Sequence, residues 1–221
     1  SGFVVDAARG WVLTNAHVAT HSHANLTVTF KGGKPMKARQ VYVDPYLDLA
    51  VLRYDPKALL APPGVPRLAC GDLPPTGRPV GAFGHPWGYY FTGTRGITSA
   101  ITSRLGPDMI QTDAPINEGN SGGPLISLED GSVVGISAAI AVENDKRADG
   151  IGFAVPTVYA CRLLELLQAG QDPSPPENLV AFAIDLGDEH TLTIANSRLP
   201  DGAVQLQTGD TILALNGRRI A

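Results

Sequence analysis

The fold is decided by the stretch Gly119-Asn120-Ser121-Gly122-Gly123-Pro124-Leu125-Ile126-Ser127-Leu128, in which a serine is followed by an apolar segment of strand type. The flanking glycines permit a bent backbone that turns successive N–H groups toward one point. Such donors are what the oxyanion of a tetrahedral intermediate requires. Ser121 is therefore a candidate nucleophile, although an ordinary glycine-rich hairpin loop has the same pattern.

The residues around Ser121 also satisfy the Gly-x-Ser-x-Gly pattern of α/β-hydrolases. That pattern requires a strand–turn–helix context, with an acid and a histidine later in the chain. Here a strand-like segment follows the serine, and the only later histidine is His190. The sequence therefore argues against an esterase.

The composition is that of a β-rich protein. The 221 residues are 43% apolar and 17% charged, and they include 25 glycines and 18 prolines. Few charges and many turn-forming residues favour short strands joined by turns over long surface helices. The net charge of −4 gives no electrostatic footprint for a nucleic acid partner. No apolar run of the sequence is long enough to span a bilayer.

Most of the first 155 residues are predicted to be strands. Leu26, Val28 and Phe30 alternate with polar residues, which is the period-2 pattern of a half-buried strand. Further strands are predicted at 3–5, 11–13, 41–43, 49–54, 80–83, 97–101, 109–112, 125–128, 133–141 and 151–155. One amphipathic helix begins at Pro156 and ends near Gly170. The pattern predicts an all-β barrel or sandwich with a C-terminal helix.

A proline-rich stretch divides the chain. Residues 171–177 contain three prolines within four positions and form a predicted linker. Residues 1–170 are therefore predicted to be one domain. Residues 178–221 form a second module, whose 44 residues are near the lower limit for independent folding.

His17 is the candidate base for Ser121. It follows the strand-like Trp11-Val12-Leu13 and lies in a predicted turn of small residues. A positioned imidazole that is neutral near pH 7 can take the serine proton and pass it to a leaving amine. We therefore pair His17 with Ser121.

Asp48 is the candidate third member of the site. It stands directly before the apolar strand at 49–54, so we expect it at the water-poor edge of a core. Asp44 and Asp55 each precede a proline, which fits solvated turns better. The order histidine, aspartate, serine is that of chymotrypsin and differs from those of subtilisin and the α/β-hydrolases.

Four motifs resemble the HtrA/Deg family of serine proteases. They are Thr14-Asn15-Ala16-His17-Val18, Asp48-Leu49-Ala50-Val51-Leu52, Gly119-Asn120-Ser121-Gly122-Gly123-Pro124-Leu125 and Gly150-Ile151-Gly152-Phe153-Ala154-Val155-Pro156. The resemblance spans nearly all of residues 1–170. Residues 209–217 resemble a stretch of the PDZ domain that follows the protease in that family.

The resemblance implies a chymotrypsin-like double β-barrel with a C-terminal helix, followed by a partial PDZ-like module. It implies an extracytoplasmic serine endopeptidase that cleaves unfolded or damaged polypeptides in protein quality control and the stress response. A homotrimer without metal or cofactor is expected, with regulatory peptides at the PDZ-like region.

Residue matches to the family extend the site. They imply that the N–H groups of Gly119 and Ser121 form the oxyanion hole, and that Ile116 and Ile140 line the primary specificity pocket. The residues near the serine loop are small or apolar, and no acid stands ready there to bind Lys or Arg. We expect a preference for apolar side chains of modest size.

The chain departs from the family pattern at several places. By comparison with the family, we expect the N-terminal segment that builds trimer contacts to be missing, and the loop at 104–109 is short. His85 occupies a position where the family usually has asparagine, and we interpret it as structural or at the surface. Residues 178–221 show no recognisable carboxylate-binding loop.

Two alternative functions remain open from the sequence. A chaperone-like holdase with a latent protease site fits the PDZ-like tail. A generic secreted digestive protease fits the three candidate catalytic residues but leaves the linker and the tail unexplained.

The remaining cysteines and histidines are predicted to have no catalytic role. Cys70 and Cys161 are expected to be buried thiols, because two cysteines are too few for a disulfide framework or a cysteine-based zinc site. His21 and His23 lack a third ligand at a useful spacing, so we expect a solvated loop there and no metal site.

Overall fold

The computed structural model describes residues 1–20, 26–103, 107–143, 146–174, 192–193, 211–212, 214–215 and 218–219. Side chains are described for residues 1–20, 26–103, 107–138 and 150–174. The chain divides into two compact units, Ser1–Ala169 and Gly170–Ala221.

The first part of Ser1–Ala169 is a five-stranded antiparallel sheet. Its strands are β1 (Phe3–Asp6), β2 (Trp11–Thr14), β3 (Thr27–Val28), β4 (Met36–Asp44) and β5 (Leu49–Tyr54). They lie in the order β1-β2-β5-β4-β3. The central strand β5 is apolar and almost fully buried, because both of its faces are covered. A short helix, α1 (Ala16–Thr20), leaves the end of β2.

The second part of Ser1–Ala169 is a closed barrel of six strands. They are β6 (Pro79–Gly84), β7 (Thr92–Thr102), β8 (Met109–Thr112), β9 (Pro124–Ser127), β10 (Val133–Glu143) and β11 (Lys146–Pro156). The barrel order is β10-β11-β8-β7-β6-β9. Helix α2 (Thr157–Gln168) follows β11 directly and ends before Gly170, whose φ is +70°.

One apolar cluster joins the two sheets to the helix. Leu13 and Leu49 of the first sheet, Ile136 and Val155 of the barrel, and Leu164 of α2 are all among its buried members. Burying such side chains is worth roughly 1.5–3 kcal/mol each. The ends of β2 and β5 are therefore fixed against the barrel, and the candidate site lies where these parts meet.

In Gly170–Ala221 the described residues form two short antiparallel pairs. Strand β12 (Leu192–Thr193) pairs with β13 (Thr211–Ile212), and β14 (Ala214–Leu215) pairs with β15 (Arg218–Arg219). The predicted PDZ-like module therefore lies mostly outside the described residues and stays a prediction, as does the part of the linker beyond residue 174.

The predicted all-β class with a C-terminal helix is confirmed, with differences at the ends of elements. The strand predicted around Leu26–Phe30 is reduced to β3. Helix α1 was not predicted, because five residues are too few to show a helical period. Pro156 caps α2 instead of lying in its first turn, and the buried face of the helix contains Ala160, Leu163 and Leu164.

The expectation of two buried thiols is wrong, because Cys70 and Cys161 form a disulfide. Residues 67–69 run beside Val133, with Ala69 N–H donating to the Val133 carbonyl at 2.8 Å. The Thr157 hydroxyl at the start of α2 donates to the same carbonyl at 2.9 Å. Cys161, one helical turn after Thr157, therefore reaches Cys70 at a Cα–Cα distance of 5.7 Å.

Candidate active site

His17 lies in the first turn of α1, directly after β2. The Ala19 N–H donates to the Asn15 carbonyl at 3.1 Å, which closes that turn. The His17 side chain is 41% exposed. The end of β2 therefore delivers an accessible imidazole, in a helical turn where the sequence predicted an irregular one.

Asp48 faces His17 from the turn before β5. Its Oδ2 lies 2.8 Å from His17 Nδ1, and its Oδ1 accepts the His17 backbone N–H at 3.0 Å. An ionised carboxylate only accepts hydrogen bonds, so Nδ1 carries the ring proton. Nε2 of the neutral ring is then an acceptor, the form that a general base requires.

The backbone of Asp48 is held by a residue that sequence reasoning missed. Asp48 has φ = +52°, which few residues other than glycine adopt. The Asn15 amide, which is fully buried, donates to the Asp48 carbonyl at 2.9 Å. No motif logic indicated this role for Asn15; the one available signal was a short polar side chain between a strand and the histidine.

Ser121 lies in the serine loop, which we define as residues 117–123. Inside the loop, Asn120 N–H donates to the Asn117 carbonyl at 2.9 Å and Gly123 N–H to the Asn120 carbonyl at 2.8 Å. Gly122 N–H donates to the Ser137 carbonyl of β10 at 2.8 Å. The Ser121 Oγ is 3.4 Å from the Ala138 carbonyl oxygen. The loop is thus anchored on the barrel.

The serine loop packs on the strand that leads to His17. Gly122 has φ = +81°, and a Cβ at this position would collide with the Thr14 hydroxyl and the Ser1 carbonyl. Thr14 is the last residue of β2, three positions before His17. Glycine is therefore required at 122, and its close approach brings the serine loop to the end of the chain segment that carries the histidine.

The backbone N–H groups of Gly119 and Ser121 are oriented by hydrogen bonds to the carbonyl of the preceding residue, which lies in the same peptide group. Trp87 N–H donates to the Glu118 carbonyl at 3.1 Å, and the Asn120 carbonyl accepts from Gly123 as described above. In a planar trans peptide the N–H points away from the C=O. Among the described residues, neither of these two N–H groups has a hydrogen-bond acceptor. They therefore remain available to a ligand oxygen.

The two predicted pocket residues are both neighbours of Gly152. Ile116 is only 6% exposed, and its side chain packs closely on Gly152 of β11. Gly152 is the register partner of Ile140 in β10. The side chain of Ile140 lies outside the described residues. Sequence reasoning missed Gly152 as part of this group, although a glycine inside a strand often marks a close approach.

His85 lies beside the serine loop. Its Nδ1 is 3.0 Å from the Ser1 hydroxyl, and its ring packs edge-on against Phe91 with centroids 4.8 Å apart. Burial lowers the pKa of the His85 imidazole below its ordinary value. The structural interpretation of His85 fits these contacts.

Other predicted groups lie outside the described residues. They are His21, His23 and His190, together with residues 104–106 of the short loop. Within the described part of the chain, no three side chains of His, Cys, Asp or Glu are grouped to hold a metal ion. None of the helices found there has both the length and the apolar character that crossing a membrane requires.

The double β architecture and the histidine–aspartate pair beside a glycine-rich serine loop are those of a trypsin-like serine peptidase. Residues 1–136 match the trypsin-like peptidase domain family. The solved structure of the HtrA-type protease AlgW with a decapeptide superposes with a TM-score of 0.73 at 32% identity, covering 99% of this chain and 70% of that one.

Curated protein sequences point to the same family. The periplasmic serine endoprotease DegP of Escherichia coli K12 is 32% identical over all of this chain and 49% of its own length. A probable DegP-like endoprotease of Ectopseudomonas mendocina is 35% identical, with 48% of its length covered. This chain therefore belongs to the HtrA/Deg family of serine proteases. It spans about half the length of the curated relatives it matches.

Proposed function

We propose that this chain is a serine endopeptidase in which Ser121 is the nucleophile, His17 the acid/base and Asp48 the orienting carboxylate. The observation that carries the proposal is the short Asp48–His17 contact at the end of β2, against which the serine loop packs. The carboxylate fixes the proton on Nδ1 and stabilises the imidazolium that forms during the reaction.

The chemistry proceeds in two balanced halves. Ser121 Oγ attacks the peptide carbonyl carbon while His17 Nε2 takes its proton, and the carbonyl oxygen becomes an oxyanion. Collapse of this intermediate breaks the C–N bond, and the imidazolium gives its proton to the leaving amine. Water then releases the acyl group by the same steps. The N–H groups of Gly119 and Ser121 would each lower the barrier by about 2.7–4 kcal/mol.

The substrate preference follows from the group around Gly152. The apolar Ile116 packs on this glycine, and Ile140 is its register partner. A pocket formed by these residues favours apolar side chains at the cleavage site. One methylene changes such selectivity by only about 1–3 kcal/mol, so we expect preference without strict exclusion. Unfolded or damaged polypeptides, in which such side chains are accessible, are the proposed substrates in protein quality control and stress response.

The proposed location is extracytoplasmic. The curated relatives are named periplasmic proteases. The Cys70–Cys161 disulfide supports the same location, because disulfides persist in oxidising compartments. Regulatory peptide binding at residues 178–221 is part of the proposal by family resemblance.

The proposed assembly is a homotrimer. Trp87, Tyr89 and Tyr90 follow one another on the surface with exposures of 62, 72 and 81%. Contiguous exposed aromatic surface is typical of contact sites between proteins. This aromatic segment therefore supports a contact between subunits, and mass measurement in solution tests it.

Labelling with a fluorophosphonate tests the catalytic assignment. We expect a stoichiometric adduct on Ser121 and cleavage of unfolded casein, and we expect both to disappear in Ser121→Ala. Ser174→Ala, at an exposed position, is the matched control and should behave as the wild type. Undiminished cleavage by Ser121→Ala would contradict the assignment.

The exposed aromatic segment also favours a second candidate, a chaperone-like holdase with a latent protease site. This candidate predicts that Ser121→Ala suppresses the aggregation of an unfolded protein at a stoichiometric ratio. A variant that neither binds unfolded chains nor slows their aggregation would eliminate it.

A further inference from the structure

Ser1 bridges the serine loop and the end of β2 through its backbone. Its nitrogen donates to the Ser121 carbonyl at 2.7 Å, and its carbonyl accepts from the Thr14 hydroxyl at 2.7 Å. One residue therefore ties the nucleophile's peptide group to the strand that leads to His17.

The Ser1 side chain makes a second set of bonds to the same loop. Its hydroxyl donates to the Gly119 carbonyl at 2.6 Å and accepts the His85 backbone N–H at 3.1 Å. The same N–H also reaches the Gly119 carbonyl, at the longer distance of 3.3 Å. The hydroxyl has a single proton, so its contact with His85 Nδ1 at 3.0 Å is favourable when Nδ1 is the donor. Both lone pairs and the proton of the hydroxyl are then used.

His85 is held in the orientation that this bond requires. Its ring packs edge-on against Phe91 and Tyr90, with centroids 4.8 and 5.8 Å away. The segment that follows His85 supplies the Trp87 N–H that holds the Glu118 carbonyl. Both peptide groups that flank the Gly119 Cα are therefore fixed by residues 85–87 and Ser1.

Gly119 needs such external restraint. Its φ is +100°, and a Cβ there would collide with the His85 carbonyl, so only glycine fits. Glycine is also the residue whose backbone rotates most freely. The Gly119 N–H belongs to the peptide group before Gly119, which Trp87 holds, and the Ser1 hydroxyl holds the peptide group after it. Release of the second peptide group would free rotation at the Gly119 Cα and allow the N–H to turn away from the cleft, which would remove one oxyanion donor.

We propose that Ser1 and His85 are positioning residues that hold the oxyanion hole in its active orientation. The inference rests on the proposed peptidase activity. His85 acts through its Nδ1–H on the Ser1 hydroxyl, and Ser1 acts on the Gly119 carbonyl. We call these two bonds, from His85 to Ser1 and from Ser1 to the Gly119 carbonyl, the clamp. The first bond requires a proton on Nδ1, which the neutral ring supplies, so the clamp works without a charge on His85.

Kinetics of three variants test the clamp. Ser1→Ala removes the shorter of the two bonds to the Gly119 carbonyl and leaves the one from the His85 backbone N–H. His85→Leu removes the side-chain donor to Ser1 and leaves the backbone donor. His85→Asn keeps an N–H at the position of Nδ1. We expect kcat for a chromogenic peptide to fall about tenfold or more in the first two, below the roughly 10²–10³-fold loss of a whole oxyanion donor. KM should stay unchanged, and His85→Asn should recover most of kcat.

Inhibition by a peptide boronic acid separates positioning from a general loss of stability. Its tetrahedral adduct uses the oxyanion hole, so its affinity should fall by the same factor as kcat. Ser132→Ala is the matched control, because it removes a buried serine hydroxyl that donates to Asp130 at 2.7 Å in the β9–β10 turn. It should lower the melting temperature and leave kcat and boronate affinity unchanged.

Three outcomes with the variants overturn the clamp. Wild-type kcat in both Ser1→Ala and His85→Leu would do so, and so would losses that match the unfolded fraction measured by circular dichroism. A His85→Asn variant as impaired as His85→Leu would remove the role of Nδ1. A wild-type chain that neither hydrolyses the peptide nor is labelled at Ser121 would instead contradict the proposed function, and the clamp with it.

Discussion

At the scale of single residues, Asp48 shows how backbone conformation serves the site. Its φ of +52° turns the chain sharply before β5, so the carboxylate returns to His17 while Leu49 enters the core. Asp and Asn tolerate this region better than other residues with a side chain. The Asn15 side-chain amide holds the turn by donating to the Asp48 carbonyl. The position therefore selects for an Asx residue by conformation and for a carboxylate by chemistry.

Asp48→Asn separates these two requirements. Asparagine keeps the conformation but can donate to Nδ1, which places the ring proton on Nε2 and removes the base. We expect kcat to fall by about 10⁴-fold with little change in the melting temperature. Asp44→Asn is the control, since the Asp44 carboxylate accepts turn N–H groups from Tyr46 and Leu47, and an asparagine oxygen can do the same. Full activity in Asp48→Asn would remove Asp48 from the site.

His85 gives a prediction for pH. Burial lowers the pKa of its imidazole, so below the ordinary histidine pKa of about 6.5 the unfolded chain binds the proton first. The stability that the folded state gains by keeping His85 neutral is present above that pH, and it is lost as the pH falls toward the pKa of His85 in the folded state. The melting temperature of the wild type should therefore drop more between pH 7.5 and pH 5 than that of His85→Asn. Equal drops would show that His85 titrates as in the unfolded chain.

At the scale of elements, the strands were predictable and their long-range neighbours were not. The strands predicted at 49–54 and 109–112 match β5 and β8 at their observed bounds, and most residues of both strands are buried. The first half of β7 was missed, since residues 92–96 combine glycine with exposed positions. Helix α1 is too short for a period.

The order of three polar residues indicated the candidate site, but the residues that support it had no such signal. His17, Asp48 and Ser121 belong to motifs whose chemistry is specific in combination. Ser1 acts through backbone groups and one hydroxyl, so it has no distinctive pattern in the sequence. The pairing of Cys70 with Cys161, 91 positions apart, depends on the barrel placing residues 67–69 beside the start of α2.

The disulfide fixes α2 to the barrel and should contribute strongly to stability. Cross-linking residues 91 positions apart is expected to stabilise the fold by about 4–5 kcal/mol. In a domain of this size, the double variant Cys70→Ala/Cys161→Ala should melt roughly 10–15 °C lower. Reductant should lower the melting temperature of the wild type and leave that of the variant unchanged. Equal melting of the two proteins would show that packing alone holds α2.

At the scale of the whole molecule, the candidate site draws on both sheets of Ser1–Ala169. His17 and Asp48 come from the first sheet, and the serine loop comes from the barrel. The cluster that contains Leu13, Ile136 and Leu164 sets their separation. Correct placement of the proposed catalytic groups therefore depends on complete packing of this unit, to which α2 and the disulfide contribute.

A chain ending at Ala169 tests whether this unit is sufficient. It keeps β1 to β11, both helices and the disulfide. We expect this shorter chain to lose no more than about 1 kcal/mol of stability. In a domain of this size, such a loss lowers the melting temperature by about 2–4 °C. Hydrolysis of a short chromogenic peptide should stay within about threefold of the full chain, since a change of 1.4 kcal/mol would be tenfold. A normal melting curve with lost kcat would show that residues 170–221 help to order the oxyanion hole.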